Sequence, residues 1–503
     1  MVTYLKQIWK RLYLIYLLHF SELSKYRELI NERIRWSLVK FIWESPLFDA
    51  DYYQTASQTS LTGLALAVHY LYIGWKNKLE PSRQFSGQAY LICYQDVAET
   101  QQCPLLHYEK YGKHEGRMIL TQNDFENCSI TEEDRQYVEH LKQQHKKKVL
   151  LLSHELSLTG APRALLNLAV TLRKLGVESV IWSMLPGDLE KEVVKLGVPY
   201  KVVTMLFSPS NENDFFTKEV KDYVSQFDMV LLNTIVALPK IVYFSNLNIK
   251  KVCWIHDGSY GFGCCPMTPK FAKYYKLYDQ IFVVGNYSRR IAMSYGEKDV
   301  QMKNLIYCID DIAYSITASD SVNGEQVNMV LAGTIEERKG QDILLKALSL
   351  LPTDVLKELH IKIVGKTISK TIANQLSTDR TGCIEMVGSV SHDKLMQIMS
   401  SMDILLCSSI DDPMPIVCTE AVMLSKPVIV SSNTGTASFI VEGENGFVFH
   451  SGDAQALADA ITRAVKSRNC LAQMGQKARL VFEQNFTNEI FEASVQKELL
   501  TLL

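Results

Sequence analysis

Short apolar runs alternate with amphipathic segments along the chain from residue 148 onwards. Runs such as VLLLS at 149–153 and MVLLN at 229–233 are nearly free of polar residues, which is typical of strands covered on both faces of a parallel sheet. The segments between them carry apolar residues at helical spacing, and the first of these ends at Gly176, as helices commonly do. The alternation predicts α/β domains with doubly wound sheets.

The alternating pattern occurs in two sets, separated by the polar stretch ASDSVNGEQ. We predict one Rossmann-like domain over residues 148–320 and a second over residues 321–485, followed by a C-terminal helix at 486–503. Two such domains in tandem are expected to face each other across a cleft, where large ligands commonly bind.

One stretch of the second set, residues 403–432, predicts a strand, a loop, a helix and a strand in succession. Asp411, Asp412 and Pro413 end the first strand. Pro415 suits the first position of a helix because its fixed φ is helical and its missing N–H costs nothing there. The free amides at this helix start are expected to point beyond the carboxyl ends of the strands, where phosphate binds well.

Two carboxylates flank this helix start, with seven residues between Asp412 and Glu420. An ionised carboxylate can accept hydrogen bonds from two hydroxyls at once, so the pair suits a ligand rich in hydroxyl groups. The alternative is an exposed aspartate and a solvated helix glutamate, and the stretch by itself leaves both interpretations open.

The loop after the first apolar run of the first set carries Gly160 and Pro162. Gly160 would let the backbone approach a ligand closely. Pro162 marks the start of the next helix. A single glycine in such a loop is a weak signal, because structural loop glycines are common.

Residues 1–45 differ from the rest because they are basic and rich in aromatic residues. They carry eight Lys or Arg residues against four Glu residues, a net charge of +4. Leu5, Trp9, Leu12 and Tyr16 fall on one helical stripe, but the run is broken by charge and is too short to span a membrane. A basic amphipathic helix of this kind can lie on an anionic membrane surface, and packing against neighbouring protein is the alternative.

An internal repeat of about 37 residues occupies residues 46–125. Equivalent positions recur 37 or 38 residues apart: Phe48 and Phe85, Tyr53 and Tyr90, His69 and His107, Gly74 and Gly112. The two histidines invite a metal interpretation, but each precedes a tyrosine in an apolar helical pattern without Cys or carboxylate partners, which favours packing. We predict a helical repeat module that acts as a scaffold or docking surface, joined by a helical linker at 126–147.

Composition and charge indicate a multidomain globular protein that does not bind nucleic acid. The chain has 503 residues with 47% hydrophobic residues and a net charge of -2, which indicates several globular domains and argues against nucleic-acid binding. The eleven cysteines form no paired CxxC or Cys/His pattern, which favours a reducing cytoplasm.

The order of six motifs over residues 149–485 resembles the retaining glycosyltransferases of family 4, which have the GT-B fold. The motifs are SLTGAPRALLNLA, the pair His256–Asp257 after a strand, GTIEERKGQDILLKAL, IEMVGSVSHDKL, DDPMPIVCTEA and GENGFV. The N-terminal repeats resemble helical repeats attached to bacterial polysaccharide glycosyltransferases. The resemblance implies a nucleotide-sugar donor, no catalytic metal or other cofactor, and an acceptor bound mostly by the first domain.

The resemblance also implies roles for individual residues around the donor. Glu420 matches the second acid of the family's E-x7-E motif, which binds the donor ribose, and Asp412 stands where the first acid lies beside the sugar. Lys339 matches the lysine that neutralises the departing diphosphate. The family commonly has an arginine where this chain has Thr334, and Arg338 is our candidate for the missing charge.

Further donor contacts are implied by backbone positions and one histidine. Gly160 matches the glycine whose backbone approaches the phosphates, and His256 matches a histidine near the hydroxyls of the donor sugar. The amides of Met414, Ile416 and Val417 would begin the helix that holds sugar hydroxyls and phosphate. Taken singly, each of these residues has an equally ordinary structural interpretation.

The expected function is transfer of a sugar from a nucleotide-sugar donor to a glycan or lipid-linked glycan in bacterial cell-surface polysaccharide synthesis. The enzyme would be cytoplasmic, with peripheral contact to a membrane or a partner protein through its N-terminal module. A nucleotide-sugar epimerase or hydrolase is one alternative. A non-catalytic GT-B subunit that stabilises a partner transferase is the other, because Thr334 and Asp412 depart from the family pattern.

Overall fold

The computed structural model describes residues 21–26, 34–115, 117, 119, 121, 130–203, 218–265, 267–296, 301–316 and 326–503. The chain forms two compact units, one of Met1–Arg135, Trp182–Pro186 and Lys201–Tyr223, the other of Gln136–Ile181, Gly187–Tyr200 and Val224–Leu503. The predicted amphipathic helix within 1–45 lies largely outside the described residues. No helix in the described ranges is both long and apolar enough to cross a membrane.

The N-terminal part of the chain is helical, as its apolar periodicity predicts. Its helices are α1 (Trp36–Trp43), α2 (Ala50–Ser57), α3 (Leu64–Tyr72), α4 (Gly87–Cys93), α5 (Gln95–Glu99) and α6 (Pro104–His107). Asp49 and Ser86 start the equivalent helices α2 and α4 by accepting hydrogen bonds from the amides of Tyr52 and Ala89. Helix α7 (Glu132–Gln143) falls within the predicted linker.

Equivalent residues of the two repeats make equivalent contacts. The Tyr53 hydroxyl lies 2.8 Å from His69 Nδ1, and the Tyr90 hydroxyl lies 3.1 Å from His107 Nδ1. The ring centroids of Phe48 and Tyr53 are 5.4 Å apart, the same distance as in the equivalent pair of the second repeat. These contacts agree with the packing interpretation of the two histidines.

The recurring glycines of the repeats are explained by the tyrosine hydroxyls. A Cβ atom at Gly74 would lie 1.8 Å from the Tyr53 hydroxyl, and one at Gly112 would lie 2.3 Å from the Tyr90 hydroxyl. Both distances are far below van der Waals contact, so only glycine lets the tyrosine reach its histidine. Each repeat is therefore built around one tyrosine, one histidine and one glycine.

The first Rossmann-like sheet has seven strands in the order β3-β2-β1-β4-β5-β6-β7. The strands are β1 (Lys148–Ser153), β2 (Glu178–Ser183), β3 (Tyr200–Val202), β4 (Met229–Asn233), β5 (Lys250–Ile255), β6 (Gln280–Val283) and β7 (Met302–Asn304). The strands from β1 to β7 along this order pair in parallel. The strand order reverses between β1 and β4, and Gly160 follows β1. The short strands β3 and β7 carry too few apolar residues to be predicted.

The second sheet has six strands in the order β10-β9-β8-β11-β12-β13. The strands are β8 (Val327–Ala332), β9 (Leu359–Val364), β10 (Ile384–Gly388), β11 (Ile404–Cys407), β12 (Val428–Ser431) and β13 (Gly446–Phe449). Its strand order reverses between β8 and β11, the position where open α/β sheets bind ligands. Lys339 follows β8 and Asp412 follows β11, so the topology brings these two residues to one edge.

Helices connect the strands of both sheets, as expected for doubly wound domains. Those of the first set are α8 (Gly160–Lys174), α9 (Glu190–Lys195), α10 (Lys218–Val224), α11 (Thr234–Ala237), α12 (Ser259–Cys264), α13 (Phe271–Tyr275) and α14 (Asn286–Ser294). Those of the second set are α15 (Gln341–Leu350), α16 (Thr353–Lys357), α17 (Lys370–Ser377), α18 (His392–Ser401), α19 (Ile416–Met423), α20 (Ala454–Lys466) and α21 (Leu471–Asn485).

The C-terminal segment packs against the first sheet. Helix α22 (Asn488–Ser494) lies within the predicted C-terminal helix, and the buried Phe491 stacks on Trp254 of β5 with ring centroids 6.1 Å apart. The amide of Ile309 donates to the carbonyl of Phe486. The two Rossmann-like sheets therefore share a core through this segment.

Candidate active site

Lys339 and Asp412 form an ion pair at the carboxyl edge of the second sheet. Lys339 Nζ lies 2.6 Å from Asp412 Oδ2, and the two side chains are 18% and 11% exposed. Burial lowers the pKa of Lys339, the adjacent Asp412 carboxylate raises it through its charge and its hydrogen bond, and the net shift is upward. The lysine therefore holds a fixed positive charge at this edge.

The turn that carries Lys339 is bonded to the loop after β11. The Ser408 hydroxyl donates to the Lys339 carbonyl at 2.8 Å, and the Ile410 amide donates to the Arg338 carbonyl at 2.9 Å. Gly340 has φ +67°, and a Cβ atom there would lie 2.2 Å from the Ser408 carbonyl oxygen. Glycine is required at this position by both conformation and space.

Arg338 brings a second cation to the same carboxylate. Its Nη1 atom donates to the carbonyl of Asp411 at 3.0 Å and lies 3.8 Å from Asp412 Oδ2. Its Nη2 atom lies 3.0 Å from Glu336 Oε1, which also accepts a hydrogen bond from the Thr334 hydroxyl at 2.8 Å. Thr334 thus contacts Arg338 through Glu336, and the guanidinium lies beside the ion pair of Lys339 and Asp412.

The loop after β11 leads into helix α19, which begins at Ile416. Pro415 is the residue before the helix, with an extended ψ of 119°, so our placement of it at the first helical position is wrong by one residue. The amides of Ile416 and Val417 belong to the first turn, where backbone donors precede the intrahelical ladder. The Met414 carbonyl accepts a hydrogen bond from the buried Tyr307 hydroxyl at 2.9 Å, which fixes the loop.

Glu420 lies in the middle of α19 and its carboxylate is largely buried. Its Oε1 atom lies 2.7 Å from His392 Nε2, and the two side chains are 9% and 52% exposed. The hydrogen bond that His392 donates to the Glu420 carboxylate raises the pKa of His392. Glu420 is therefore neither solvated nor exposed, which removes the ordinary surface interpretation of this residue.

Asp411 lies in the loop after β11 and bonds this loop to residues of the first Rossmann-like domain. Its carboxylate accepts from the Ser259 amide at 3.2 Å, the Tyr260 amide at 2.6 Å and the Tyr287 hydroxyl at 2.5 Å. A Cβ atom at Gly258 would lie 2.1 Å from Asp411 Oδ1, so glycine there permits the approach. The carboxylate fixes the position of its neighbour Asp412.

His256 and Asp257 follow β5 and lie next to this contact. Burial and, to a smaller extent, nearby His154 together lower the pKa of His256 to about 3, so the ring is neutral near pH 7. Its buried Nε2 atom has no hydrogen-bond partner within the described part of the chain. Burial raises the pKa of Asp257 to about 6, with Asp411 contributing, while its carboxylate accepts from the Ile235 amide at 2.9 Å.

Gly160 is the first residue of α8 and faces α19. A Cβ atom there would lie 3.5 Å from Ile416 Cδ1, which is ordinary van der Waals contact, and its φ is not in the left-handed region. Nothing in its conformation or this contact therefore requires glycine. Because Gly160 lies beside Ile416, it is located at the start of α19.

The sequence analysis missed two residues that the structure connects to the site. Asp411 was interpreted only as a strand breaker, although it is one of two adjacent acids in front of a proline. His392 was part of a quoted motif but was given no role. A histidine at the first position of a helix that follows a strand of the sheet is the signal that could have found it.

The arrangement provides two cations, two partly buried carboxylates and a helix start at the topological switch point of the second sheet. Cations and helix amides suit phosphate groups, and the carboxylates suit hydroxyl groups. In the described residues, no group of three or more His, Cys, Asp or Glu side chains is arranged to hold a metal ion.

Two family models match the stretches that form β1 to β5 of the first sheet and all six strands of the second. The model described as Glycosyl-transferase family 4 matches residues 145–263, and the model described as Glycosyl transferases group 1 matches residues 316–481. The chain belongs to the family 4 glycosyltransferases. The second match contains the ion pair, helix α19 and Glu420, so the site lies in the part of the family 4 chain that the group 1 model describes.

Curated relatives of this family 4 chain include proteins of surface-glycan synthesis. The lipopolysaccharide core biosynthesis glycosyltransferase LpsE of Rhizobium meliloti is 24% identical over 159 residues, 31% of this chain and 45% of that protein. An uncharacterized glycosyltransferase of Haemophilus influenzae is 22% identical over 349 residues, 66% of this chain and 94% of that protein. The match to LpsE thus covers less than half of that relative.

Solved structures of similar fold show the GT-B architecture. Anabaena Alr3699/HepE in complex with UDP aligns with a TM-score of 0.60 and 18% identity, over 70% of this chain and 100% of that one. The lipopolysaccharide outer core galactosyltransferase WaaB aligns with a TM-score of 0.58 and 12% identity, over 71% of this chain and 100% of that one. The prediction of two Rossmann-like domains in the GT-B fold is confirmed.

Proposed function

We propose that this chain transfers a sugar from a nucleotide-sugar donor to a glycan or lipid-linked glycan acceptor in bacterial cell-surface polysaccharide synthesis. The proposal is carried by one observation, the convergence of Lys339, Arg338, Asp412 and Glu420 around the start of α19. UDP in the Anabaena neighbour and surface-glycan synthesis in the name of LpsE support it. The family membership and the fold of the chain would stand even if this proposed reaction were wrong.

The diphosphate of the donor would lie at the cations and the start of α19. Lys339 and Arg338 would offset the charge that develops on the diphosphate as the glycosidic bond breaks, together with the amides of Ile416 and Val417. A donor phosphate would share Lys339 with Asp412. The resident cations would supply this charge stabilisation without a metal ion.

The hydroxyl groups of the donor would be held by the carboxylates. Glu420 would accept from the ribose, and Asp412 from the sugar, because each carboxylate is held in place by neighbours and keeps acceptor capacity. His256, neutral and with an unpaired Nε2 in the described residues, would contact sugar hydroxyls from the first domain. Gly160 and the loop after β1 would lie beside the phosphates.

The acceptor hydroxyl would attack the anomeric carbon from the face that the diphosphate leaves and pass its proton to the departing phosphate oxygen, so the configuration would be retained. Leaving-group stabilisation and positioning would drive this step without a protein nucleophile. The reaction would take place in the cytoplasm. The basic residues 1–45 would hold the enzyme at the anionic inner membrane surface, and co-sedimentation of the full chain with anionic but not neutral vesicles would test this part.

The test of the function is release of free nucleotide that depends on an added acceptor. UDP-glucose, GDP-mannose and ADP-glucose would be incubated with the full chain, with and without a lipid-linked glycan fraction from bacterial membranes. Acceptor-dependent release with a product of retained anomeric configuration supports the proposal. Release without acceptor would indicate a hydrolase, a changed sugar without release an epimerase, and no reaction with any donor a non-catalytic subunit.

A further inference from the structure

The buried carboxylate of Glu420 has a partner that the proposed donor contacts do not use. His392 is the first residue of α18, after the hydroxyl of Ser391 caps that helix by accepting from the Lys394 amide. Its Nε2 atom lies 2.7 Å from Glu420 Oε1, and its ring is about half exposed while the carboxylate is 9% exposed. The pair joins α18 to α19 at the outer rim of the site.

We propose that His392 is a positioning residue that orients the Glu420 carboxylate for the donor ribose and makes donor binding depend on pH. The inference rests on the proposed function, because it assigns to Glu420 the ribose hydroxyls. With Oε1 engaged by His392, the second oxygen of the carboxylate remains available to accept from the ribose. The histidine itself needs no contact with the donor.

The protonation state of His392 determines how well it orients the Glu420 carboxylate. The imidazolium carries a proton on both ring nitrogens, so Nε2 always donates to Glu420. In the neutral ring, one of the two tautomers directs a lone pair at the carboxylate instead, and the carboxylate loses its fixed orientation. The protonated form also adds positive charge near an anionic donor.

Among the described residues, three charged groups shift the pKa of His392. Glu420 of α19 raises the pKa of His392, as does Asp393 on its own helix, whereas Arg163 of α8 and partial burial lower it. The net shift is upward, so the switch from imidazolium to imidazole moves from the ordinary value towards neutral pH. Donor affinity should therefore be highest below this pKa and fall as the pH rises through it.

The experiment measures binding of UDP-glucose to the full chain by calorimetry from about pH 6 to about pH 8, where histidine titrates. An intact nucleotide sugar is used because its diphosphate has no terminal phosphate that titrates in this range. For the wild type, we expect the dissociation constant to rise about three- to tenfold across the range, on the scale of a partly exposed charged pair.

Two variants separate orientation from titration. His392→Gln can still donate to Glu420 but cannot change charge, so its binding should be pH-independent and within about threefold of the wild type. His392→Ala should bind more weakly at low pH and also lack the pH dependence. His360→Gln is the matched control, because His360 Nε2 lies 3.2 Å from Glu385 Oε2 near the amino end of β9, at the opposite edge of the same sheet.

The outcomes distinguish this inference from the function on which it rests. A pH dependence that persists unchanged in His392→Gln overturns the role of His392 while leaving the proposed function intact. If the wild type binds none of UDP-glucose, GDP-mannose and ADP-glucose, the proposed function fails and the inference fails with it. Loss of the pH dependence in His360→Gln as well would also overturn the inference.

Discussion

Histidine is used in opposite ways in the N-terminal repeats and at the candidate active site. His69 lies 2.8 Å from a tyrosine hydroxyl, and His392 lies 2.7 Å from a glutamate oxygen. Burial lowers the pKa of His69, whereas Glu420 raises the pKa of His392. Nearly equal hydrogen-bond distances therefore accompany a neutral packing residue in one region and a titrating residue in the other.

The difference comes from the partner and from exposure. Tyr53 and His69 are hydrogen-bonded to each other and buried inside an aromatic core, where polar groups complete the packing. At the second sheet, His392 contacts one of the two carboxylate oxygens of Glu420. Lys339 and Asp412 form an ion pair at the carboxyl edge of this sheet, where the strand order reverses. Polar groups in the repeats complete a core, and those at the second sheet retain capacity to bind.

The largest expected effect is on turnover and tests the role of the charged groups at the candidate active site. Lys339→Ala should lower kcat about 10²-fold or more, because one preorganised charge that stabilises a leaving group is removed. Lys346→Ala is the matched control, since this lysine makes an exposed ion pair with Asp342 one helix further on and should leave the rate unchanged. Equal rates for Lys339→Ala and the wild type would assign the diphosphate to Arg338.

The repeats should respond in stability and not in turnover. Gly74→Ala places a methyl group 1.8 Å from the Tyr53 hydroxyl and should cost about 2 kcal/mol of unfolding free energy through overpacking. In the Tyr53→Phe background this cost should fall, because the oxygen is gone and the next ring atom is 3.0 Å away. Denaturation of the four proteins of this cycle measures the coupling, and an unaltered cost in Tyr53→Phe would contradict the packing explanation.

The two acids flanking the start of α19 should separate into different kinetic effects. Glu420→Ala should raise the donor KM about tenfold with little change in kcat, because ribose binding is equal in the ground and transition states. Asp412→Ala should chiefly lower kcat, since it lies beside Lys339 where charge develops. Steady-state kinetics at varied donor concentration measures both constants. An unchanged donor KM in Glu420→Ala would show that Glu420 does not bind the ribose.

The pH dependence of stability should reveal the raised pKa of Asp257. Its pKa is raised to about 6 in the folded protein, against about 3.9 in an unfolded chain. Its contribution is therefore fully present below about pH 4 and is lost as the pH rises to about 6, because the unfolded state releases the proton more easily.

Asp257→Asn should remove this fall in stability, which amounts to about 3 kcal/mol for a pKa difference of about two units. Thermal unfolding of the full chain at several pH values measures this slope. His69→Gln serves as the comparison, because the pKa of His69 is shifted downward and its contribution to stability therefore rises with pH instead of falling. An identical slope in Asp257→Asn and the wild type would show that Asp257 titrates normally.

Much of the fold could be predicted because the signals are local. The buried strands of a parallel sheet are short apolar runs, and β1, β4, β5 and β11 were all predicted from such runs. Strands β3 and β7 were not, since three-residue strands at the outer positions of a sheet carry no distinct apolar pattern. The repeat was visible because each copy requires the same tyrosine, histidine and glycine.

The sequence by itself determined the two doubly wound domains, the repeat and the residue types at the start of α19, because these depend on periodicity, on spacing and on the conformational limits of proline and glycine. Only the tertiary structure decided which charges meet. Lys339 and Asp412 are 73 residues apart yet form a 2.6 Å contact, and His392 reaches Glu420 from another helix. Asp411 could not be assigned either, because its hydrogen-bond donors at 259, 260 and 287 lie in the other Rossmann-like domain. Such pairings arise from strand order and domain packing, which no local pattern encodes.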